Sequence, residues 1–215
     1  DISLLSKLKA NVGVTRVPST GLVNFAFRAA DSKWGFMLVY GVGDVRPQVC
    51  FFLHLGRDCL LPLAPNGPSV FETARVWCVN AGIEIDRVEL IADGGIGSCC
   101  YAFPNVDALS KRVSDRYGDD ACEEVFLRDK KVNPPNAGGI AISLNNLVDL
   151  EFARAFEGIR IIDSNLGNFC TACYGHGADH DVTKRLLSSS ARGDGLRRDL
   201  IVASFDFSGM EFLET

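Results

Sequence analysis

The sequence predicts a mixed α/β domain. Three observations predict it: apolar runs at 22–28, 35–42 and 48–55 separated by turn residues, a capped helix after them, and a further strand running into Asp93-Gly94-Gly95. Strand-type runs and helix-type spacing that follow one another in a single chain mark this class.

Taken in order, Ser3 to Ala10 is expected as a short leading helix with Leu4, Leu5 and Leu8 on one side. The run LVNFAFR at 22–28 alternates at first, as a half-buried strand does. GFMLVYGV at 35–42 is more fully apolar, and QVCFFLHL at 48–55 is the third strand. Gly41, Gly43, Asp44 and Pro47 carry turn chemistry between the last two, so an antiparallel meander is expected. After Pro62, Pro65 and Pro68, Ser69 and Glu72 stand at capping-box spacing, where hydroxyl and carboxylate satisfy each other's free backbone donors. The helix they open ends near Gly82, and Ile85 to Ala92 is the fourth strand. Val106, Leu109, Val113 and Tyr117 form the stripe of a second helix that Gly118 stops. Residues 133–139 form a loop, 146–156 a helix, 159–162 a short buried strand, 181–189 a helix, and 200–207 a final strand. Residues 1–147 read as the core and 148–215 as a C-terminal α/β extension, either appended to it or continuous with it.

The 215 residues, 47% hydrophobic and 23% charged, suit a globular chain that buries a core without disulfide staples. No apolar run approaches the roughly 20 residues of a membrane helix, so no membrane association is expected. A net charge of −5 is unlike a free-standing nucleic-acid binder, which is usually basic. Nucleic-acid contact is therefore expected only with the help of other domains, and protein partners stay open. No basic segment followed by an apolar run opens the chain, so no signal peptide is expected. Eight cysteines fall below the density of a disulfide scaffold, which points to a reducing intracellular compartment, cytoplasm or nucleus.

Several residues sit where one particular fold would want them. Asp31 follows the first strand, Glu72-Thr73-Ala74 lies on the capped helix, and Asp93-Gly94-Gly95 ends the fourth strand. Asn133-Pro134 leads through Gly138-Gly139 to Leu144-Asn145. In this layout residues 22–147 resemble the RNase H-like catalytic core of DDE transposases and retroviral-type integrases. The resemblance implies an RNase H-like mixed sheet: three antiparallel strands, then alternating helices and strands. It also implies Asp31 and Asp93 as catalytic carboxylates holding Mg²⁺ or Mn²⁺. Such hard cations take oxygen ligands and clamp the attacking and leaving oxygens of a phosphodiester. The Glu that these families place three residues before the Asn falls here at Ile142, and Glu123 and Glu124 precede the Asn-Pro loop. The implied function is thus a nucleic-acid-processing or nucleic-acid-associated domain, degenerate if nothing replaces Ile142.

Two further constellations compete. Cys170, Cys173, His176 and His180 follow a C-x₂-C-x₂-H-x₃-H spacing, and two thiolates with two imidazoles can complete a tetrahedral Zn²⁺ site. Asp179 and Asp181 stand beside His180 as acceptors able to orient an imidazole. Zinc alone would make this a structural or protein-interaction module. Separately, Gly97-Ser98-Cys99-Cys100-Tyr101 is similar to the nucleophile region of papain-like viral leader proteases. That similarity implies Cys100 as nucleophile with His176 as its base.

Overall fold

The computed structural model describes residues 12–17, 22–29, 33–64, 67–93, 95–133, 137–165, 170 and 199–206. Its elements are β1 (Val12–Arg16), β2 (Leu22–Ala29), β3 (Lys33–Gly41), β4 (Val49–Leu55), α1 (Arg57–Leu60), α2 (Val70–Asn80), β5 (Ile85–Asp93) and β6 (Ala102–Phe103). There follow α3 (Asp107–Tyr117), α4 (Asp120–Val125), β7 (Phe126–Leu127), β8 (Ile140–Ile142), α5 (Leu144–Ala155), β9 (Arg160–Asn165) and β10 (Asp199–Asp206). The chain is mixed α/β, with a five-stranded sheet in the order β1-β4-β3-β5-β9. Its neighbours pair antiparallel except β5 and β9, which run parallel.

Strand periodicity explains why β3 and β4 are apolar almost throughout. Successive side chains point to opposite faces. Met37, Val39, Phe51 and Leu53 join the main core, while Phe36, Leu38, Tyr40, Cys50 and Phe52 form a second cluster. Helices α2 and α5 join the main core through Phe71, Ala74 and Cys78, and through Leu147, Val148 and Phe152. The Phe71 and Phe152 rings meet at 5.1 Å, and Phe152 and Phe156 at 5.4 Å. Burying each such ring stabilises the fold by roughly 1.5–3 kcal/mol.

The expected three-strand meander is corrected. Strand β2 lies outside the central sheet and pairs along its whole length with β10, from Leu22 opposite Asp206 to Ala29 opposite Asp199. The third antiparallel strand of the meander's place is β1, against β4. A strand's own alternation states which face it buries and leaves its partner open. Strand β1 is short and carries Gly13, so its signal is weak. The small sheet β6-β8-β7 and helices α1 and α4 are too short to show a periodic pattern in the sequence. Strand β9, expected to be buried, is an edge strand with Arg160 and Asp163 exposed. Helix α5 runs across position 147, and β9 completes the central sheet, so residues on both sides of that position share one core. The helices expected at 3–10 and 181–189 lie outside the described residues. No helix among the described residues is long and apolar enough to cross a membrane.

The capping box is present. Glu72 N donates to Ser69 Oγ at 3.1 Å, and Ser69 N donates to Glu72 Oε2 at 2.9 Å. Glu72 also belongs to a buried ion network. Glu151 interrupts the apolar stripe of α5 and is 0% exposed. Arg116 of α3 grips it with two bonds, Nε to Oε2 at 2.8 Å and Nη2 to Oε1 at 2.7 Å. Tyr117 OH donates to the same carboxylate at 2.6 Å, and Arg154 Nε at 3.1 Å. Arg116 and Arg154 each donate on to Glu72. The network therefore ties α2, α3 and α5 together at the rim of the core. Burial pushes the Glu151 carboxyl up, but the bonds from Arg116, Arg154 and Tyr117 outweigh it and hold the group below the usual carboxylate range.

Candidate metal centre

Beyond β5 the chain folds tightly. Gly95 has φ +122°, and a Cβ there would stand 2.7 Å from the Lys33 Cα, so only glycine fits. The next turn is closed by Gly97 O, which accepts from Cys100 N and Tyr101 N, both at 2.9 Å. This turn presents Cys99 and Cys100, both half-buried. Cys170, beyond β9, arrives beside them and is 1% exposed. The three sulfurs lie within 4.8 Å of one another.

Position 97 makes the approach feasible. A Cβ there would lie 2.9 Å from Cys170 Cβ and 3.3 Å from the sulfurs of both Cys170 and Cys99. The Gly97 N–H instead donates to Cys170 Sγ at 3.1 Å. Asn133 adds a second buttress: its backbone N–H donates to Cys99 O at 2.8 Å and its Nδ2 to Cys100 Sγ at 3.7 Å. N–H donors aimed at sulfur favour the thiolate and help fix a metal–thiolate geometry.

The electrostatics follow from crowding. Hydrogen bonds to Cys100 and Cys170, together with burial, push the Cys99 thiol far above its ordinary range. Several thiolates this close repel one another unless a cation is present. A divalent ion reverses that balance and deprotonates coordinating thiols outright. The cluster is able to coordinate a metal ion, and its soft sulfur donors suit zinc rather than magnesium or manganese.

The site residues expected from the sequence divide as follows. Cys170 and Cys100 both join the cluster, though the sequence assigned them to separate sites. Cys99, which the sequence offers only as an alternative reactive thiol beside Cys100, is the third member of the cluster. Cys173, His176 and His180 lie outside the described residues, and so does Asp31. Asp93 closes β5 opposite Trp34 of β3. Ile142 is fully buried in β8, paired with Phe126, and forms part of the main core. Glu123 and Glu124 are exposed on α4.

A thiol–imidazole pair also links β4 to α1. Cys59 Sγ lies 3.4 Å from His54 Nδ1. Burial pushes the Cys59 thiol up to about 11, so it stays protonated at neutral pH and is not an activated nucleophile.

No family model matches the chain, and no curated protein matches it.

Proposed function

We propose that this domain is a zinc-stabilised structural or protein-interaction module. Zn²⁺ is held by Cys99, Cys100 and Cys170, and it pins the turn after β5 to the segment beyond β9. The observation that carries this reading is the convergence of three sulfurs within 4.8 Å from two distant stretches of chain. Tetrahedral zinc with Zn–S bonds of about 2.3 Å sets its sulfurs about 3.8 Å apart, so no pair in the cluster needs to close by more than about 1 Å. Cys173, in C-x-x-C spacing with Cys170, is the first choice for the fourth donor, with His176 or His180 in reserve. Four protein donors close the site, which is the mark of a structural zinc rather than a catalytic one.

Surface chemistry supports the interaction role. Leu63 and Val76 are 75% and 56% exposed, and they border a cleft of about 520 Å³ shared with Pro62, Pro68, Arg112 and Arg154. Grouped apolar side chains rimmed by charge are common at partner surfaces.

Elemental analysis of the purified chain tests the metal. About one zinc per chain is expected, with sulfur-to-metal charge-transfer bands on cobalt substitution. Cys99→Ser, Cys100→Ser and Cys170→Ser should each lose the zinc or bind it more weakly. A chain free of metal, whose stability a chelator leaves unchanged, would remove this reading.

A nucleic-acid-associated RNase H-like core is the competing proposal. Its support is the sequence resemblance, together with Asp93 closing β5 of the central sheet. A Mg²⁺ or Mn²⁺ titration that responds in the native chain and not in Asp93→Asn would favour it.

A further inference from the structure

The same three thiols stand where a two-electron oxidant would join two of them. Neighbouring residues are a poor pair: consecutive Cα atoms are about 3.8 Å apart, whereas disulfides usually span about 4.4–6.8 Å. Cys99 and Cys100 therefore close only with strain. Cys170 comes from a separate segment and escapes that constraint. A Cβ at position 97 would lie 3.3 Å from the Cys99 sulfur and 3.3 Å from the Cys170 sulfur, so both border the same small space. Cys99 is half-buried and reachable by a small oxidant, while Cys170 is 1% exposed.

We propose that Cys99 and Cys170 form a redox-active pair: hydrogen peroxide converts them to a disulfide, and the reaction expels the metal. The Cys99 sulfur gives up its proton to solvent and attacks the peroxide O–O bond, giving Cys99 sulfenic acid and hydroxide; the raised thiol confines this step to a small deprotonated fraction and makes it slow. The Cys170 thiolate then attacks the Cys99 sulfur, forming the S–S bond and releasing a second hydroxide. Two electrons pass from the two sulfurs to one peroxide, and two protons turn both hydroxides into water. Of the three clustered sulfurs only Cys100 keeps its thiolate, which with Cys173 leaves two of the four donors, and the set that holds zinc is broken. The metal release rests on the zinc reading, whereas the cross-link rests on the thiol geometry alone.

The experiment treats the full chain with hydrogen peroxide, once loaded with zinc and once after chelator. Zinc release is followed with a chromophoric chelator, and the cross-link by mass spectrometry of non-reduced tryptic peptides. Residues 88–111 carry Cys99 and Cys100, and residues 161–184 carry Cys170 and Cys173. The expected result is a species joining these two peptides, with one zinc released per cross-link in the loaded form. Cys100→Ser should keep the cross-link, and Cys99→Ser should lose it. A disulfide confined to either peptide, Cys99–Cys100 or Cys170–Cys173, overturns the proposal, as does oxidation to sulfinic acid without a cross-link. If the chain never binds zinc yet forms the cross-link, the zinc reading fails and the redox pair stands. If it binds zinc and no cross-link forms, the reverse holds.

Discussion

The Gly97 backbone N–H donates to Cys170 Sγ at 3.1 Å across 73 positions of sequence. The bond exists because position 97 has no side chain to hold Cys170 away. In Gly97→Ala the added methyl would meet Cys170 Cβ at 2.9 Å, a separation real Cβ atoms essentially never show. One of the two segments must then retreat. Removing a partner that orients a metal ligand lowers metal affinity by roughly 10- to 100-fold. We expect a loss in that range for Gly97→Ala in a chelator competition, with the far-UV dichroism unchanged. Undiminished affinity would mean that Cys170 is not a ligand.

Glu151 is the most consequential charge in the core. It is 0% exposed, and Arg116, Tyr117 and Arg154 all donate to it. Glu151→Ala leaves Arg116, 13% exposed, without its main partner. Breaking a buried pair from one side costs about 3–5 kcal/mol. Tyr117→Phe removes a single bond to a charged group and should cost about 1.5–3 kcal/mol. Urea unfolding of the two variants should rank them in that order. Equal midpoints would show that the network is not centred on Glu151.

Local signals were legible in the sequence and long-range partners were not. The Ser69–Glu72 box, the stripe of α3 and the ends of β3, β4 and β5 follow from spacing along the chain. Each is decided within a few residues. The pairing of β2 with β10 joins Leu22 to Asp206, and nothing in either strand's alternation names the other. The metal centre was half legible for the same reason. Cys170 stood out through its C-x-x-C spacing, and Cys100 through its glycine turn, yet their meeting is a property of the tertiary fold. Glu151 did leave a sequence signal. It is an acidic residue on the stripe of Leu144, Leu147, Val148 and Phe152, where a buried carboxylate demands a cationic partner.

The capping box gives a cleaner test of local energetics. Ser69 is buried and holds two reciprocal bonds with Glu72. Ser69→Ala removes the acceptor for Glu72 N and should cost about 1 kcal/mol. The urea midpoint should fall with the slope unchanged, because the native and unfolded surfaces stay the same. A fall in slope as well would mean that α2 frays and the helix layer loosens with it.

Acid should act on the fold through the same network. Burial raises the Glu151 and Glu72 carboxyls. Arg116 and Arg154 on both, with Tyr117 on Glu151 and the Ser69 N–H on Glu72, more than offset it, so both groups are held below the usual carboxylate range. A carboxyl depressed in the folded state binds protons less readily there than in the unfolded chain. Its contribution is therefore complete above the unfolded value of about 4.3 and is lost as pH falls through the lower folded value. The urea midpoint of the native chain should stay level from neutral pH to about 5 and then fall as the medium is acidified further. Glu151→Gln, already destabilised at neutral pH, should show a shallower fall over the same window, since it has one fewer depressed carboxyl to protonate. Parallel curves for the two proteins would mean that Glu151 does not carry the acid response.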